Sequence, residues 1–355
     1  MKHLVDFRVF ESAGSGLTKE QEEFLNKYTE GSWKYNPATG LVDVVGSFDC
    51  RSERLKTLSG VKFGKVSGDF DCSNNQLTSL EGAPQKVGGS FGCNDNDLSS
   101  LAGAPQEVGV DFFCGSNALK TLEGAPQKVG GSFDCSFMNI RMERGLRKLT
   151  SLAGAPQEVG GYFYCSHSNL SSLTGAPKKV GGSFYCSDNQ LTSLEGAPQK
   201  VGRSFECHDN KLTSLAGVPK KVGGDFNCSG NNLTSLEGAP QSVGGRFHCF
   251  SNKLTSLVGA PQEVDGDFDC GSFQLAKGKW NLEGWLVILK RSWPKVQKLI
   301  LTILTPKILN REIQKDPPGM IMKLKPVWND ESFRETRDQL IWPQGYEEEM
   351  DIVSG

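Results

Sequence analysis

The stretch GSFYCSDNQLTSLEGAPQKVG, residues 182–202, is one period of a pattern that fills most of this 355-residue chain. The chain has 11 cysteines, and each follows a phenylalanine by two places, as Cys186 follows Phe184 here. Successive cysteines lie 21 residues apart, except for the steps Cys50–Cys72 (22 residues) and Cys135–Cys165 (30 residues). A fixed period this short indicates a solenoid in which each unit contributes one strand and a return segment.

The repeated unit reads V-G-G-x-F-x-C-x-x-N-x-L-x-x-L-x-G-A-P. The alternation in F-x-C has period two, so Phe and Cys point to one face of a strand, and we expect that face to be the core. The two leucines face the same interior, and the proline suits an extended return segment because it fixes φ and has no N–H to donate. The sequence therefore predicts a repeat solenoid with a parallel β-sheet face and extended, non-helical return segments.

The unit resembles the leucine-rich repeat, in which an Asn side chain bonds backbone groups of adjacent coils. The matching position lies three residues after the cysteine and holds Asn75, Asn96, Asn117, Asn189, Asn210, Asn231 and Asn252. Cys135, Cys165 and Cys270 are followed by Met138, Ser168 and Phe273 instead, which is expected to weaken the Asn ladder at those units. The fuller wording L-T-S-L-x-G-A-P-x-x-V-G-G-x-F-x-C is similar to tandem-repeat proteins of phages and bacteria that mostly lack an assigned function.

Three regions are expected. Residues 1–41 read as an N-terminal cap with a helix over 18–30, which begins with Thr18 and Gln21 at capping-box spacing, and a hairpin around Asn36–Gly40. Residues 42–273 read as an eleven-unit solenoid with an insertion near 137–148, and residues 274–355 as a mainly helical C-terminal cap or domain. In this last region we predict helices near 282–292, 295–304, 306–315 and 330–341 and a strand near 320–326.

The cysteines are best explained as core residues, because a free Cys packs as a small hydrophobe and is among the most buried residue types. Stacked coils would place each sulfur beside the equivalent sulfurs above and below it. Disulfides and metal ligation are the alternatives. Zinc sites favour close C-x2-4-C pairs, which this sequence lacks, so we predict no metal site and no cofactor.

The residues that flank Phe and Cys are expected to point outward and to line the exposed sheet. In the middle of the array these positions combine aromatic rings with carboxylates, a composition typical of a binding hot spot. The predicted partner-binding residues on this face are Asp111, Phe113, Asp134, Tyr162, Tyr164, Tyr185, Glu206 and His208. The alternative is that tyrosine occurs there because of its good strand propensity.

The insertion supplies a second candidate surface. It carries Arg141, Arg144 and Arg147 and leaves the array beside the aromatic positions. Insertions in solenoids form outward loops that often serve binding. An insertion that is tolerated without a role is the alternative.

The amino-acid composition argues against several classes of function. Thirty-nine Lys and Arg residues balance 41 Asp and Glu residues, so nucleic acid is an unfavoured ligand. We find no signal sequence and no apolar run of membrane-spanning length, which predicts a cytoplasmic protein (in the bacterial host, if a phage encodes it), expected to be a monomer.

Residues 274–355 contain neither Cys nor His, which argues against a catalytic nucleophile or base of those types there, so we expect no enzyme. The predicted function is a non-enzymatic module that binds a partner protein on its sheet face; a structural repeat protein of a virion or cell surface, and an acidic solenoid that competes with nucleic acid for a basic protein, are the alternatives.

Overall fold

The computed structural model describes residues 16–137, 149–254, 257–270, 274–275, 306–315, 317–324, 328, 333–341 and 343–344. The chain divides into two compact units. Unit 1 comprises Met1–Leu191 and Gly196–Gly202, and unit 2 comprises Thr192–Glu195 and Arg203–Gly355. Both contain coils of the same leucine-rich-repeat-like parallel solenoid, so the predicted fold class is confirmed.

The elements number four helices and twenty-three strands among the described residues. The helices are α1 (Lys19–Tyr28), α2 (Pro306–Ile313), α3 (Pro317–Leu324) and α4 (Arg334–Arg337). The strands are β1 (Thr29–Asn36), β2 (Leu41–Asp49), β3 (Phe63–Val66), β4 (Phe70–Asp71), β5 (Lys86–Val87), β6 (Phe91–Gly92), β7 (Glu107–Val108), β8 (Phe112–Phe113), β9 (Lys128–Val129), β10 (Phe133–Asp134), β11 (Glu158–Val159), β12 (Phe163–Tyr164), β13 (Lys179–Val180), β14 (Phe184–Tyr185), β15 (Lys200–Val201), β16 (Phe205–Glu206), β17 (Lys221–Val222), β18 (Phe226–Asn227), β19 (Ser242–Val243), β20 (Phe247–His248), β21 (Glu263–Val264), β22 (Phe268–Asp269) and β23 (Gln274–Leu275).

Helix α1 begins with the capping box predicted from the sequence. The Thr18 side chain accepts the N–H of Gln21, and the Gln21 side chain accepts the N–H of Thr18. The helix buries Phe24, whose ring lies 5.5 Å from that of Phe48 in the first coil. Strands β1 and β2 then form an antiparallel hairpin in which Asn36 pairs with Leu41. Helix and hairpin thereby cover the first coil, as a solenoid end requires.

Each regular coil contains two short strands where the sequence analysis expected one. One strand ends at the valine of V-G-G, and the other begins at the phenylalanine. Both pair in parallel with the equivalent strands of neighbouring coils, as Val87 pairs with Val108 and Phe91 with Phe112. The return segment through G-A-P is neither helix nor strand, as predicted.

The core is a column of identical side chains from successive coils. In unit 1 the phenylalanine rings stack with centroids 5.2–5.6 Å apart, and each ring is fully buried. The step from Phe133 to Phe163 spans the longer interval, yet those rings are 5.4 Å apart and their strands pair in register. The longer interval therefore does not interrupt the column.

The Asn side chains join neighbouring coils, as the resemblance implied. The side-chain NH2 of Asn117 donates to the carbonyls of Cys93 at 3.0 Å and Cys114 at 3.0 Å, and Oδ1 accepts the N–H of Leu98 at 3.0 Å. The same arrangement recurs at Asn75, Asn96, Asn189 and Asn231. Where Ser168 replaces Asn, its hydroxyl makes one bond among the described residues, to the Ser166 carbonyl at 3.5 Å.

The cysteines are free thiols; ten are buried and Cys270 is half-buried. Several donate a weak S–H bond to a carbonyl of the following coil, as Cys72 does to Gly92 at 3.2 Å. Burial raises the pKa of the Cys50 thiol to about 12 and raises that of Cys72 well above its ordinary value. A thiol must ionise to act as a nucleophile or metal ligand, and burial keeps these thiols protonated. Their environments are therefore those of core residues.

The secondary structure predicted for residues 274–355 is confirmed in part. Helix α2 confirms the prediction for 306–315, and the short helix α4 lies within the predicted 330–341. The strand predicted near 320–326 is wrong over 320–324, which belong to helix α3, and residues 325–326 lie outside the described residues. Pro317 opens this helix, and Met320 and Leu324, four residues apart, are both buried on one helical face. The predicted helices near 282–292 and 295–304 lie outside the described residues.

Among the described residues, no helix has the length and apolar character needed to cross a bilayer.

Candidate partner-binding face

The outward side of the phenylalanine strands in unit 1 presents two rows of side chains. Row A holds the residue before each phenylalanine: Ser47, Asp69, Ser90, Asp111, Ser132, Tyr162 and Ser183. Row B holds the residue after it: Asp49, Asp71, Gly92, Phe113, Asp134, Tyr164 and Tyr185. The parallel register places Phe113 opposite Asp134, Asp134 opposite Tyr164, and Tyr164 opposite Tyr185. Row B is thus an ordered sequence of neighbours about 4.8 Å apart.

Three tyrosines form a cluster that we call the tyrosine patch: Tyr162, Tyr164 and Tyr185. The rings of Tyr164 and Tyr185 are stacked, with centroids 4.7 Å apart and planes 6° apart. Tyr162 lies 5.9 Å from Tyr164 and 6.4 Å from Tyr185, tilted against both. All three are half-buried, so each ring keeps part of its surface open to solvent. Tertiary packing therefore brings Tyr185 against two rings that lie 21 and 23 residues before it in the chain.

The environment of the tyrosine patch keeps Tyr164 neutral. Partial burial raises the pKa of Tyr164, and the neighbouring Tyr185, Tyr162, Asp134 and Asp111 raise it further. Both carboxylates therefore oppose ionisation of the Tyr164 hydroxyl. The phenol remains an electron-rich ring with a proton on its hydroxyl.

Row A has a structural role that the sequence analysis missed. In five coils the side chain of one row A residue accepts the backbone N–H of the next, which belongs to Asp69, Ser90, Asp111, Ser132 or Tyr162. Ser132 donates its N–H to Oδ1 of Asp111 at 2.6 Å, and Tyr162 donates its own to Oγ of Ser132 at 3.1 Å. Serine and aspartate recur in row A because both carry a short side-chain acceptor. Asp111 therefore helps to hold the coils together.

Asp134 in row B is also engaged within its coil. Its Oδ1 accepts both the N–H of Ser136 at 2.8 Å and the hydroxyl of Ser136 at 2.5 Å. Burial raises the pKa of Asp134, and the two bonds from Ser136 partly oppose that shift. The sequence analysis expected the residue after each cysteine to face outward, and this is wrong for the serines such as Ser136 and Ser229, which are buried.

The remaining predicted residues do not belong to the tyrosine patch. Phe113 is half-buried and pairs with Asp134 rather than with a tyrosine, so the coil of Asp134 separates it from the patch. Glu206 and His208 belong to unit 2. Burial raises the pKa of Glu206, against a hydrogen bond from the Asn227 side chain, and Nδ1 of His208 lies 2.8 Å from Oδ2 of Asp209. Arg141, Arg144 and Arg147 lie outside the described residues.

Comparison with known proteins adds little beyond the architecture. No family model matches the chain, and no curated protein matches its sequence. Two solved structures are similar to it. YopM from Yersinia enterocolitica WA-314 is 20% identical over 64% of this chain and 55% of its own, with a TM-score of 0.34. YopM from Yersinia pestis, described as a leucine-rich effector protein, is 16% identical over 62% of this chain and 81% of its own, with a TM-score of 0.32. The chain spans about half the length of the first of these structures.

Proposed function

We propose that this chain is a non-enzymatic interaction module that binds a partner protein through the tyrosine patch of unit 1. The observation that carries the proposal is the stacked pair Tyr164–Tyr185 with Tyr162 beside it on the outward side of a rigid sheet. Tyrosine rings offer a large contact area with only two side-chain torsions to order, and such residues dominate binding energy in protein interfaces. Repeat arrays present extended faces of this kind to macromolecules.

The fixed geometry of the patch supports this function. Neighbouring coils hold each tyrosine strand in parallel register, so the rings are positioned before a partner arrives. Preorganised contacts lose less conformational entropy on association than flexible ones do. The buried thiols support a role other than catalysis, because their raised pKa makes them poor nucleophiles. The many free thiols also favour a reducing setting, for which the cytoplasm of a bacterium or phage-infected bacterium is our proposal.

Affinity purification from bacterial lysate under reducing conditions tests the proposal. The variant replaces Tyr162 by Ser and Tyr164 and Tyr185 by Asn. These substitutions follow the chain's own pattern, because Ser occupies row A at Ser132 and Asn227 occupies the row B position in unit 2. There Asn227 bonds Ser229, and a serine also stands two residues after Tyr164 and after Tyr185. The variant should therefore fold, which circular dichroism verifies.

The matched control changes the same two row positions in unit 2, Arg246→Ser with His248→Asn. We expect the native chain and this control to retain a common partner that the tyrosine variant loses. A partner retained equally by all three chains would place the binding surface elsewhere. A native chain that retains nothing specific would favour a structural repeat protein instead.

A further inference from the structure

Two carboxylates that act on Tyr164, those of Asp111 and Asp134, each use one oxygen within the solenoid. Oδ1 of Asp111 accepts the Ser132 N–H, and Oδ1 of Asp134 accepts both bonds from Ser136. Among the described residues, nothing donates a hydrogen bond to Oδ2 of either side chain. Each carboxylate therefore has an acceptor left for an external donor.

Every charged residue in the outward rows of unit 1 is acidic. These rows contain Asp49, Asp69, Asp71, Asp111 and Asp134 and no lysine or arginine. At one end of the face Arg51 pairs with Asp49 at 2.7 Å and with Asp71 at 3.5 Å. Within the described part of the chain, Asp111 and Asp134 have no such cationic partner. The described side chains therefore do not balance the negative charge of these two carboxylates, and a cationic ligand would.

The tyrosines add a second attraction for positive charge. The face of an aromatic ring attracts a cation that lies within about 6 Å of its centroid, and a desolvated site strengthens the attraction. The patch offers three rings, and Asp134 is the direct strand neighbour of Tyr164. Because Asp134 and Tyr164 are neighbours on adjacent strands, one cationic side chain can contact both the ring and the carboxylate.

We propose that the partner segment recognised by this face is an extended peptide bearing arginine side chains. The guanidinium group is planar, stacks on tyrosine and donates paired N–H groups to a carboxylate, whereas the lysine ammonium is a compact, strongly hydrated point charge. One guanidinium lies against the tyrosine patch and donates to Oδ2 of Asp134, and a second donates to Oδ2 of Asp111. This inference rests on the proposed function and specifies its ligand.

A fluorescein-labelled peptide of alternating glycine and arginine, with three arginines, is the probe. Alternate residues of an extended peptide project to the same side, so its arginines can face the sheet together. The matched peptides carry citrulline, which keeps the shape without the charge, or lysine. Fluorescence anisotropy at low ionic strength should show the arginine peptide binding at least about 10-fold more tightly than the citrulline peptide, with lysine weaker than arginine. Equal binding of arginine and citrulline would overturn the proposal, and equal binding of arginine and lysine would overturn the choice of arginine.

The chain itself supplies substitutions that remove charge and keep the fold. Asp134→Asn copies Asn227, which bonds Ser229 as Asp134 bonds Ser136. Asp111→Ser copies Ser90 and Ser132, which accept the next row A N–H. Each substitution should weaken arginine-peptide binding about 5- to 10-fold. Asp225→Ser is the control, because Asp225 accepts the Arg246 N–H at 2.7 Å in unit 2 but lies outside this face. Equal weakening by Asp225→Ser would show binding to general negative charge and overturn the site.

Failure of this inference is distinguishable from failure of the proposed function. If the tyrosine variant loses its lysate partner while the native chain does not bind the arginine peptide, the proposed function is supported and the arginine-bearing ligand is excluded. If the arginine peptide binds the native chain and the tyrosine variant equally, the patch is not its site and the inference falls.

Discussion

Asp69 and Ser90 are joined across two successive coils, because Oδ1 of Asp69 accepts the backbone N–H of Ser90 at 2.7 Å. This bond accounts for the second glycine of the V-G-G motif. A Cβ added to Gly89 would lie 2.1 Å from that same Oδ1 atom, so a side chain there would displace the acceptor. The glycine and the Ser or Asp of the motif V-G-G-(S/D)-F thus work together. The side chain of Ser or Asp in one coil occupies the space beside the second glycine of the next coil, where it accepts a backbone N–H.

Gly131→Ala should destabilise the solenoid. Its Cβ would lie 2.4 Å from Oδ1 of Asp111, the atom that accepts the Ser132 N–H. Disturbing this bond should lower the free energy of unfolding by about 1–3 kcal/mol, seen as a lower urea midpoint. Val110→Ala is the control, because Val110 already occupies the second-glycine position of its coil and is 45% exposed. Its effect should stay within about 0.5 kcal/mol. Equal midpoints for Gly131→Ala and the native chain would refute this explanation of the glycine.

Asn117→Ala should lower the free energy of unfolding more than Ser168→Ala does, although both positions follow their cysteine by three residues. Asn117 is buried and satisfies the carbonyls of Cys93, Cys114 and Gly115 as well as the N–H of Leu98. Its loss leaves several buried backbone groups without partners, for which we expect a cost of about 3 kcal/mol. Ser168 makes one long bond, so its replacement should cost less than about 1 kcal/mol. Thermal denaturation of the two variants compares them directly, and similar melting temperatures would contradict the assigned role of the Asn ladder.

The native thiols should resist modification. Ten cysteines are buried, and only Cys270 is half-buried, with a pKa that burial raises to about 11. A thiol reacts through its thiolate, so 5,5′-dithiobis(2-nitrobenzoate) at pH 8 should modify at most one thiol rapidly in the folded chain. All 11 should react in denaturant, which serves as the control. Rapid reaction of several thiols in the folded protein would show that the cysteine column is accessible.

The protein should unfold steeply in alkali. Burial raises the thiol pKa values in the folded state, to about 12 for Cys50, whereas unfolded thiols ionise near pH 8.5. The folded chain therefore holds protons that the unfolded chain releases, so this stability is complete below about pH 8.5 and is lost as pH rises towards the folded values. Each buried thiol contributes a slope of about 1.4 kcal/mol per pH unit in that window.

Urea unfolding at several pH values between 7 and 10, under reducing conditions, measures this slope. A Cys93→Ala, Cys114→Ala variant should show a slope smaller by about 3 kcal/mol per pH unit above pH 9, whatever its stability at pH 7. A native chain whose stability does not change across this range would contradict the buried, protonated state of the thiols.

Much of the architecture could be predicted because the unit is short and repeated. The Phe–Cys alternation and the two leucines predicted the buried face, and the position of Asn117 predicted its bonds between coils. The strand expected near 320–326 failed because spacing within a few residues did not distinguish a strand from helix α3, in which Met320 and Leu324 share one buried face. The second strand of each coil was missed because its pairing joins residues such as Val87 and Val108, and only the stacked coils create that bond.

The sequence by itself determined the period, the column of phenylalanine and cysteine, and the two rows that flank each phenylalanine, because these follow from the local alternation of the strand. The tertiary structure decided how those outward side chains are used. Register between coils places Tyr164 against Tyr185, commits one oxygen of Asp111 to Ser132, and leaves the other oxygen available. Such relationships join atoms 21 residues apart, so they exist only once the coils are stacked and their backbone hydrogen bonds fix the alignment.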